Sequence, residues 1–183
     1  MCLRLKDLGF SPTGCDIVPE NFRLHGRVSF SILNLNHPLP EEIVEAFDCV
    51  VATEVIEHLE NPRHLLRQCF RALRPGGVLF ISTPNIDSPL SKALYIRTGD
   101  FRWFGDAEYK QDGHITPIHR RVLEKALGEA GFVDVQIESV APLVVPRFSW
   151  WKMRLLAWLV TKVSAERLLE GDILIVEARR PGS

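Results

Sequence analysis

The chain has 183 residues, of which 46% are hydrophobic and 25% are charged, and this balance excludes a disordered or fibrous protein. The formal net charge of −1 provides no overall positive field for nucleic acid, so we expect no nucleic-acid partner. No run of about 18 uncharged apolar residues is present, and the charged start MCLRLKDLGF lacks the pattern of a secretory signal.

The four cysteines, Cys2, Cys15, Cys49 and Cys69, form no CxxC pair that would indicate a metal or redox site. Three of them lie in apolar runs, where reduced and buried thiols are common. We therefore expect reduced core cysteines in a cytoplasmic protein that forms a single domain over residues 1–183.

The start of the chain predicts the end of a helix and two short strands. Residues 1–8 have leucines at helical spacing before Gly9, and Thr13–Asp16 is the first candidate strand. A second strand is predicted over 28–34, and its alternating pattern places three apolar residues inward: Val28, Phe30 and Ile32.

The middle of the chain predicts a strand, a helix and a parallel strand. DCVVAT, at 48–53, is a continuous apolar run typical of a strand that is central in its sheet and buried on both faces. Asn61 begins a helix that ends before Pro75-Gly76-Gly77, and VLFIST follows as the next strand. Short connections of this kind imply parallel neighbours and a right-handed crossover. The remaining predicted elements are a helix over 89–97, an aromatic loop over 101–109, a helix over 116–131, a strand over 132–140, a helix over 148–163 and a strand over 172–180.

This order of elements resembles the class I S-adenosylmethionine-dependent methyltransferases, in their small-molecule and quinone-type branch. The resemblance is carried by FDCVVATEVIEHLENPRHLLRQCFRALRPGGVLFISTPN and by GHITPIHRRVLEKALGEAGF. It implies an α/β fold with a Rossmann-like, mostly parallel sheet, flanking helices and an antiparallel C-terminal strand. It also implies S-adenosylmethionine as the cofactor and a small molecule as the substrate.

The resemblance assigns the cofactor contacts position by position. Asp16 would accept hydrogen bonds from the ribose hydroxyls, and Ile17 would lie against the adenine. Asn34 would meet the adenine amino group, and the amide of Leu35 would face a ring nitrogen. The alternative for Asp16 and Asn34 is a role in the turns that follow them.

Thr53 and Glu54, at the end of the central strand, would lie closest to the transferred methyl group. Glu57 and His58 are the candidate catalytic pair, with His58 as a general base, and the alternative is that they only hold the following loop and helix. A divalent metal at Glu54, Glu57 and His58 is the less favoured alternative, and we predict no metal. Two further histidines could face the acceptor or serve as capping residues: His114 and His119.

One expected part of the family pattern is missing from this sequence. In the family, a first strand and a GxGxG loop precede the helix that ends near residue 8, and here no two glycines are separated by a single residue. We therefore expect a sheet without its first strand. A start codon assigned too far downstream is the favoured explanation, and the alternatives are a gene fragment and a sheet that closes the gap.

Residues 84–115 and 142–168 are predicted to be lid insertions on the substrate side. The helix over 148–163 carries tryptophans and leucines on one face, bracketed by lysine and arginine, as in helices that lie in a membrane interface. Its alternatives are a lid over the sheet and a contact between two copies of the chain.

Three functions follow from these patterns. The leading one is methyl transfer to a small-molecule acceptor at oxygen. The second is a non-catalytic, methyltransferase-like interaction module that no longer binds the cofactor. The third is a nicotinamide-dependent oxidoreductase, which would need a GxGxxG loop of its own.

Overall fold

The computed structural model describes residues 1–140, 151–165 and 168–182. The helices are α1 (Cys2–Asp7), α2 (Pro62–Ala72), α3 (Pro89–Thr98), α4 (Asp106–Gln111), α5 (Arg120–Ala130) and α6 (Trp151–Val163). The strands are β1 (Thr13–Asp16), β2 (Ser29–Ile32), β3 (Phe47–Thr53), β4 (Leu73–Pro84), β5 (Val133–Val140) and β6 (Ile173–Arg179). The predicted helix over 148–163 and lid over 142–168 fall partly on residues 141–150 and 166–167, which lie outside the described residues.

The chain divides into two compact units, Met1–Leu39 and Pro40–Ser183. In the first unit, β1 and β2 form a two-stranded parallel sheet. Phe22 stacks on Phe30 with ring centroids 4.3 Å apart. The inward orientation predicted for Ile32 is wrong, since its side chain is 63% exposed. Stacking on Phe22 shields Phe30 from solvent, but this contact does not extend to Ile32 at the end of β2.

The second unit contains a four-stranded sheet in the order β3-β4-β6-β5. The β3–β4 pair is parallel, whereas β6 runs antiparallel to both of its neighbours. The predicted α/β class, the parallel pair and the antiparallel last strand are therefore confirmed. The central position predicted for 48–53 is wrong, because β3 pairs along one side only among the described residues. Its Cys49 is exposed.

The core of the second unit lies on one face of this sheet. Ile81 of β4 and Val176 of β6 are register partners, and both are almost completely buried. Helices α2 and α5 pack against the sheet and against each other, and they bury Leu66 and Leu127 completely. The residues that each helix buries lie at helical spacing on one face, which accounts for this layer.

The Pro75-Gly76-Gly77 segment begins the strand instead of separating helix from strand. A side chain at Gly77 would place its Cβ 2.9 Å from the carbonyl oxygen of Arg74 and 3.2 Å from that of Asp48. Only glycine fits between these two backbone oxygens, so β4 can approach β3 closely at this position.

Two helix starts illustrate how local and tertiary interactions compete. Asn61 caps α2 as predicted, because its Oδ1 accepts a hydrogen bond from the His64 amide at 3.0 Å. The start predicted at Thr116 for the helix over 116–131 is wrong, since this helix, α5, begins at Arg120. The Thr116 hydroxyl donates to the Leu59 carbonyl at 2.6 Å, and its amide donates to the Glu57 carbonyl at 2.9 Å. These contacts hold the segment extended.

All four cysteines are free thiols, but the prediction that they lie in the core holds only for Cys69. Cys15 and Cys49 are exposed, and Cys2 is half-buried. Both exposed cysteines belong to strands that pair on one side only within the part of the chain that the structure describes, so an apolar sequence neighbourhood does not bury them.

Helices α3 and α6 pack on each other through a separate apolar cluster formed by Leu90, Ala93, Met153 and Val160. In the described ranges, no helix combines the length and the apolar character needed to cross a bilayer.

Candidate active site

In the first unit, the structure brings two predicted cofactor residues together at the carboxyl ends of parallel strands. Asp16 ends β1, and Asn34 lies two residues after the end of β2. The Asp16 carbonyl accepts a hydrogen bond from the Leu33 amide at 3.0 Å, which joins the two strand ends. Ligands of parallel sheets bind outside this edge.

The side chains at this edge suit the adenosine part of the cofactor. One carboxylate oxygen of Asp16 accepts a hydrogen bond from the Val18 amide at 2.9 Å, and the structure shows no bond to the other within its described part. Ile17 is 57% exposed and offers an apolar surface. A carboxylate with an available oxygen and an exposed aliphatic side chain fit a ribose and an adenine ring.

The turn roles that competed with cofactor binding are also present. The Asn34 side-chain oxygen accepts a hydrogen bond from the Asn36 amide at 3.0 Å, so this amide group stabilises its own turn. Leu35, whose backbone amide is the predicted ring contact, is half-buried.

In the second unit, Thr53 and Glu54 are exposed at the end of β3, where Thr53 pairs with Ser82 of β4. Glu54 has a φ of 50°, in the left-handed region that non-glycine residues rarely adopt. Ser82 stabilises this backbone: its carbonyl accepts from the Glu54 amide at 3.0 Å, and its hydroxyl donates to the Glu54 carboxylate at 2.6 Å. The sequence did not point to Ser82, although it lies in a strand end rich in polar residues.

Glu57 is completely buried and joins two segments. Its Oε2 accepts a hydrogen bond from the Thr83 hydroxyl at 3.0 Å, and its carbonyl accepts from the Ile115 amide at 3.0 Å. Burial, together with the nearby Glu54 carboxylate, raises the pKa of Glu57, although hydrogen bonds and His58 oppose the shift. These contacts correspond to the alternative in which Glu57 holds the loop.

His58 and His114 lie beside this buried carboxylate. His58 Nδ1 lies 3.1 Å from the Gly113 carbonyl, and His114 Nδ1 lies 2.6 Å from the Trp103 carbonyl. A carbonyl can only accept, so in both rings Nδ1 carries the hydrogen and Nε2 keeps a lone pair when the ring is neutral. The two rings meet edge to face, with centroids 4.9 Å apart.

The structure changes the set of residues that could hold a metal. Glu57, His58 and His114 bring ligand atoms within 4.8 Å of one another, and His58 Nε2 lies 3.9 Å from Glu57 Oε1. Glu54, which belonged to the set considered from the sequence, points its carboxylate at Ser82 instead. His114 takes its place because the loop before α5 folds back over residues 57 and 58.

His119 lies at a second polar cluster, beside Asp87 in the segment after β4. Its Nδ1 is 3.0 Å from an Asp87 carboxylate oxygen, and both residues line a cavity of about 490 Å³. The sequence did not identify Asp87, although the polar run that follows the buried strand β4 was the available signal.

Sequence comparison with known proteins also identifies methyltransferases. Residues 1–137 match the family described as "Methyltransferase domain". A mouse protein, "Ubiquinone biosynthesis O-methyltransferase, mitochondrial", is 37% identical over 165 residues, which cover 80% of this chain and 41% of the relative. The chain spans less than half the length of the curated relatives it matches first.

Solved structures share the fold. A SAM-dependent methyltransferase from Archaeoglobus fulgidus superimposes with a TM-score of 0.63 and 20% identity, over 98% of this chain and 80% of its own. Phosphoethanolamine N-methyltransferase 2 of Haemonchus contortus, solved with S-adenosyl-L-methionine, gives a TM-score of 0.59 at 15% identity, over 98% of this chain and 46% of its own.

The chain therefore belongs to the class I S-adenosylmethionine-dependent methyltransferases. Its sequence relatives lie in the quinone-type branch, and the cofactor of the family is S-adenosylmethionine. The expectations on family, fold class and cofactor are confirmed.

Proposed function

We propose that this chain contributes to methyl transfer from S-adenosylmethionine to an oxygen atom of a small-molecule acceptor. The observation that carries the proposal is the 37% identity to a ubiquinone biosynthesis O-methyltransferase over 80% of the chain. We take the acceptor to be a hydroxyl of the phenol type, because that relative is named as an O-methyltransferase of quinone biosynthesis.

In this proposal Asp16 binds the ribose hydroxyls through its available carboxylate oxygen, and Ile17 covers one face of the adenine. Asn34 and the Leu35 amide border the adenine edge. Thr53 and Glu54, which are exposed at the end of β3, would lie nearest the sulfonium.

The bound cofactor supplies an activated methyl group on a positively charged sulfur. The protein has to align the acceptor oxygen, exclude water and provide a proton acceptor for a weakly acidic hydroxyl. We assign Glu57 to positioning, since it is buried and bonded to Thr83. His58 keeps a lone pair on Nε2, so its role as the general base stays a prediction.

The cofactor assignment is tested by calorimetric titration of S-adenosylhomocysteine into the 183-residue chain. Asp16→Ala should weaken binding about ten- to a hundredfold, because charge-assisted hydrogen bonds to the ribose are lost. Glu20→Ala, which removes an exposed carboxylate four residues away, is the matched control and should bind like the unchanged chain. A folded chain that binds no S-adenosylhomocysteine would contradict the proposal and favour the interaction-module alternative.

We further propose that α6 makes a peripheral contact with the surface of an anionic membrane. We also propose that the protein is cytoplasmic and that its thiols are reduced. Trp151 and Trp158 are 65% and 55% exposed, and Lys152 and Lys162 lie over their rings. The helix contains three basic residues and no acidic one, which matches an anionic surface.

This contact predicts sedimentation of the chain with phosphatidylglycerol vesicles and much less with phosphatidylcholine vesicles. Trp158→Glu should abolish it, whereas Tyr109→Glu, at a similarly exposed aromatic residue outside α6, should not. Loss of a dimer instead of vesicle binding in Trp158→Glu would identify the surface as a contact between two copies of the chain.

A further inference from the structure

Asp87 and His119 form a hydrogen-bonded pair whose two halves come from different elements. Asp87 follows β4, and His119 precedes α5 as its N-cap residue. The distance between His119 Nδ1 and Asp87 Oδ1 is 3.0 Å, and Asp87 Oδ2 accepts from the Arg120 amide at 2.8 Å. Lys92 Nζ lies 3.2 Å from Asp87 Oδ1. Three groups therefore fix the Asp87 carboxylate: the His119 ring, the Arg120 amide and the Lys92 ammonium group.

The state of the Asp87 carboxyl determines which nitrogen of His119 carries the hydrogen. Burial alone would raise the pKa of Asp87, but hydrogen bonds from His119 and the Arg120 amide, and the charge of Lys92, hold it below its ordinary value. An ionised carboxylate can only accept hydrogen bonds. Nδ1 of His119 must therefore donate, and Nε2 of the neutral ring keeps its lone pair.

The His119 ring is oriented and accessible at the same time. Phe101 meets it edge to face, with centroids 5.6 Å apart, and the side chain is still 48% exposed. His58 differs, because its side chain is 35% exposed and its Nε2 lies 3.9 Å from the buried Glu57 carboxylate. Of the two histidines, His119 is the one whose Nδ1 is hydrogen-bonded to a carboxylate, and its side chain is the more exposed.

That open space is the cavity of about 490 Å³, a volume within the range of small-molecule pockets. Its ionisable lining residues are His119, Asp87, Lys92, Arg120 and Arg121. Its apolar lining includes Val122, Ala165, Leu168 and Leu169. Cationic and apolar side chains lining one cavity suit a weakly acidic hydroxyl attached to an apolar body. The cavity adjoins the segment that follows β4, and therefore the carboxyl end of the same sheet that exposes Thr53 and Glu54.

We propose that this cavity holds the methyl acceptor and that His119 Nε2 takes the proton from the acceptor hydroxyl. The inference rests on the proposed function. In the overall transfer the acceptor oxygen gains the methyl group, the sulfonium becomes a thioether, and the hydroxyl proton moves to Nε2 and then to solvent. In this inference His119 takes the general-base role in place of His58, and Asp87 is a positioning residue that acts through His119.

The first test is the tautomer of His119, measured by long-range ¹H–¹⁵N NMR on the 183-residue chain without cofactor. We expect the Nδ1–H form in the unchanged chain and a shift towards the Nε2–H form in Asp87→Ala, since the acceptor for Nδ1 is then lost. If Asp87→Ala left the Nδ1–H form unchanged, Asp87 would not set the tautomer and its positioning role would be overturned. Finding the Nε2–H form in the unchanged chain would overturn the inference.

The second test uses catechol as the probe for the acceptor. Catechol should shift the His119 resonances and leave those of exposed His37 unchanged, and His119→Gln should lose at least tenfold in catechol affinity or in methylation rate. Catechol shifts at His58 and none at His119 would overturn the inference. Because neither NMR measurement needs S-adenosylmethionine, a chain that binds catechol at His119 but binds no S-adenosylhomocysteine would refute the proposed function alone.

Discussion

Asn85 is the residue whose replacement tests the architecture of the site most directly. Its side chain is almost completely buried immediately after β4. The Nδ2 group donates to the carbonyls of Leu169 and Gly171 at 2.9 and 2.7 Å, and Oδ1 accepts from the Asp87 amide at 3.0 Å. One side chain thus joins the segment before β6 to the segment that presents Asp87.

Asn85→Ala removes all three hydrogen bonds and leaves their partly buried backbone partners without them. At about 1 kcal/mol for each bond, the free energy of unfolding should fall by about 3 kcal/mol. For a chain of this size, that loss corresponds to a decrease of about 6–12 °C in Tm. Asn85→Asp should lose at least as much at neutral pH, because a carboxylate oxygen would face two carbonyl oxygens.

The assay is urea unfolding followed by circular dichroism, with Gln111→Ala as the control because it removes an exposed side-chain amide. The control should stay within about 0.5 kcal/mol of the unchanged chain. Part of the loss in Asn85→Asp should be recovered at acidic pH, where the carboxyl can donate again. A change below about 0.5 kcal/mol for Asn85→Ala would refute the reasoning.

Three other predictions concern the same unit. Glu57 has a raised pKa in the folded chain, so the stability that its protonated form provides is present below its ordinary pKa of 4.5 and is lost as the pH rises through the folded pKa. Glu57→Gln should flatten this decrease in urea titrations from pH 4 to pH 8, and parallel curves would contradict it. Asn61→Ala should cost about 1 kcal/mol through the lost cap of α2, whereas Asn61→Asp should keep the cap. Leu127→Ala, at a completely buried position of α5, should lower the free energy of unfolding by about 2–5 kcal/mol. A smaller loss than that of Asn61→Ala would contradict this and show that the core around residue 127 repacks.

The sequence by itself determined most elements that depend on nearby residues. Thr13–Asp16 is a strand with the predicted limits, and α3 extends only one residue beyond its predicted end. The N-cap of α2 at Asn61 is another local feature. Caps, apolar periodicity and turn residues act over a few positions, so the order of residues is sufficient to reveal them.

The tertiary structure decided the features that depend on distant partners. Thr116 stays extended because it forms hydrogen bonds with Leu59 and Glu57, almost 60 positions earlier. Helix α5 therefore begins only at Arg120. Among the described residues β3 lies at the edge of its sheet, although its apolar run is typical of a central strand.

The same division holds for the candidate site. The positions of Asp16, Thr53 and Glu54 at strand ends were predictable because strand ends can be located in the sequence, while their contacts with the cofactor stay predictions. The pairing of Asp87 with His119, 32 positions apart, was not, because it requires the ends of β4 and α5 to meet. A sequence pattern specifies which chemical groups are available, whereas the distance and hydrogen-bond partner that give a group its chemistry arise only when separate segments pack together.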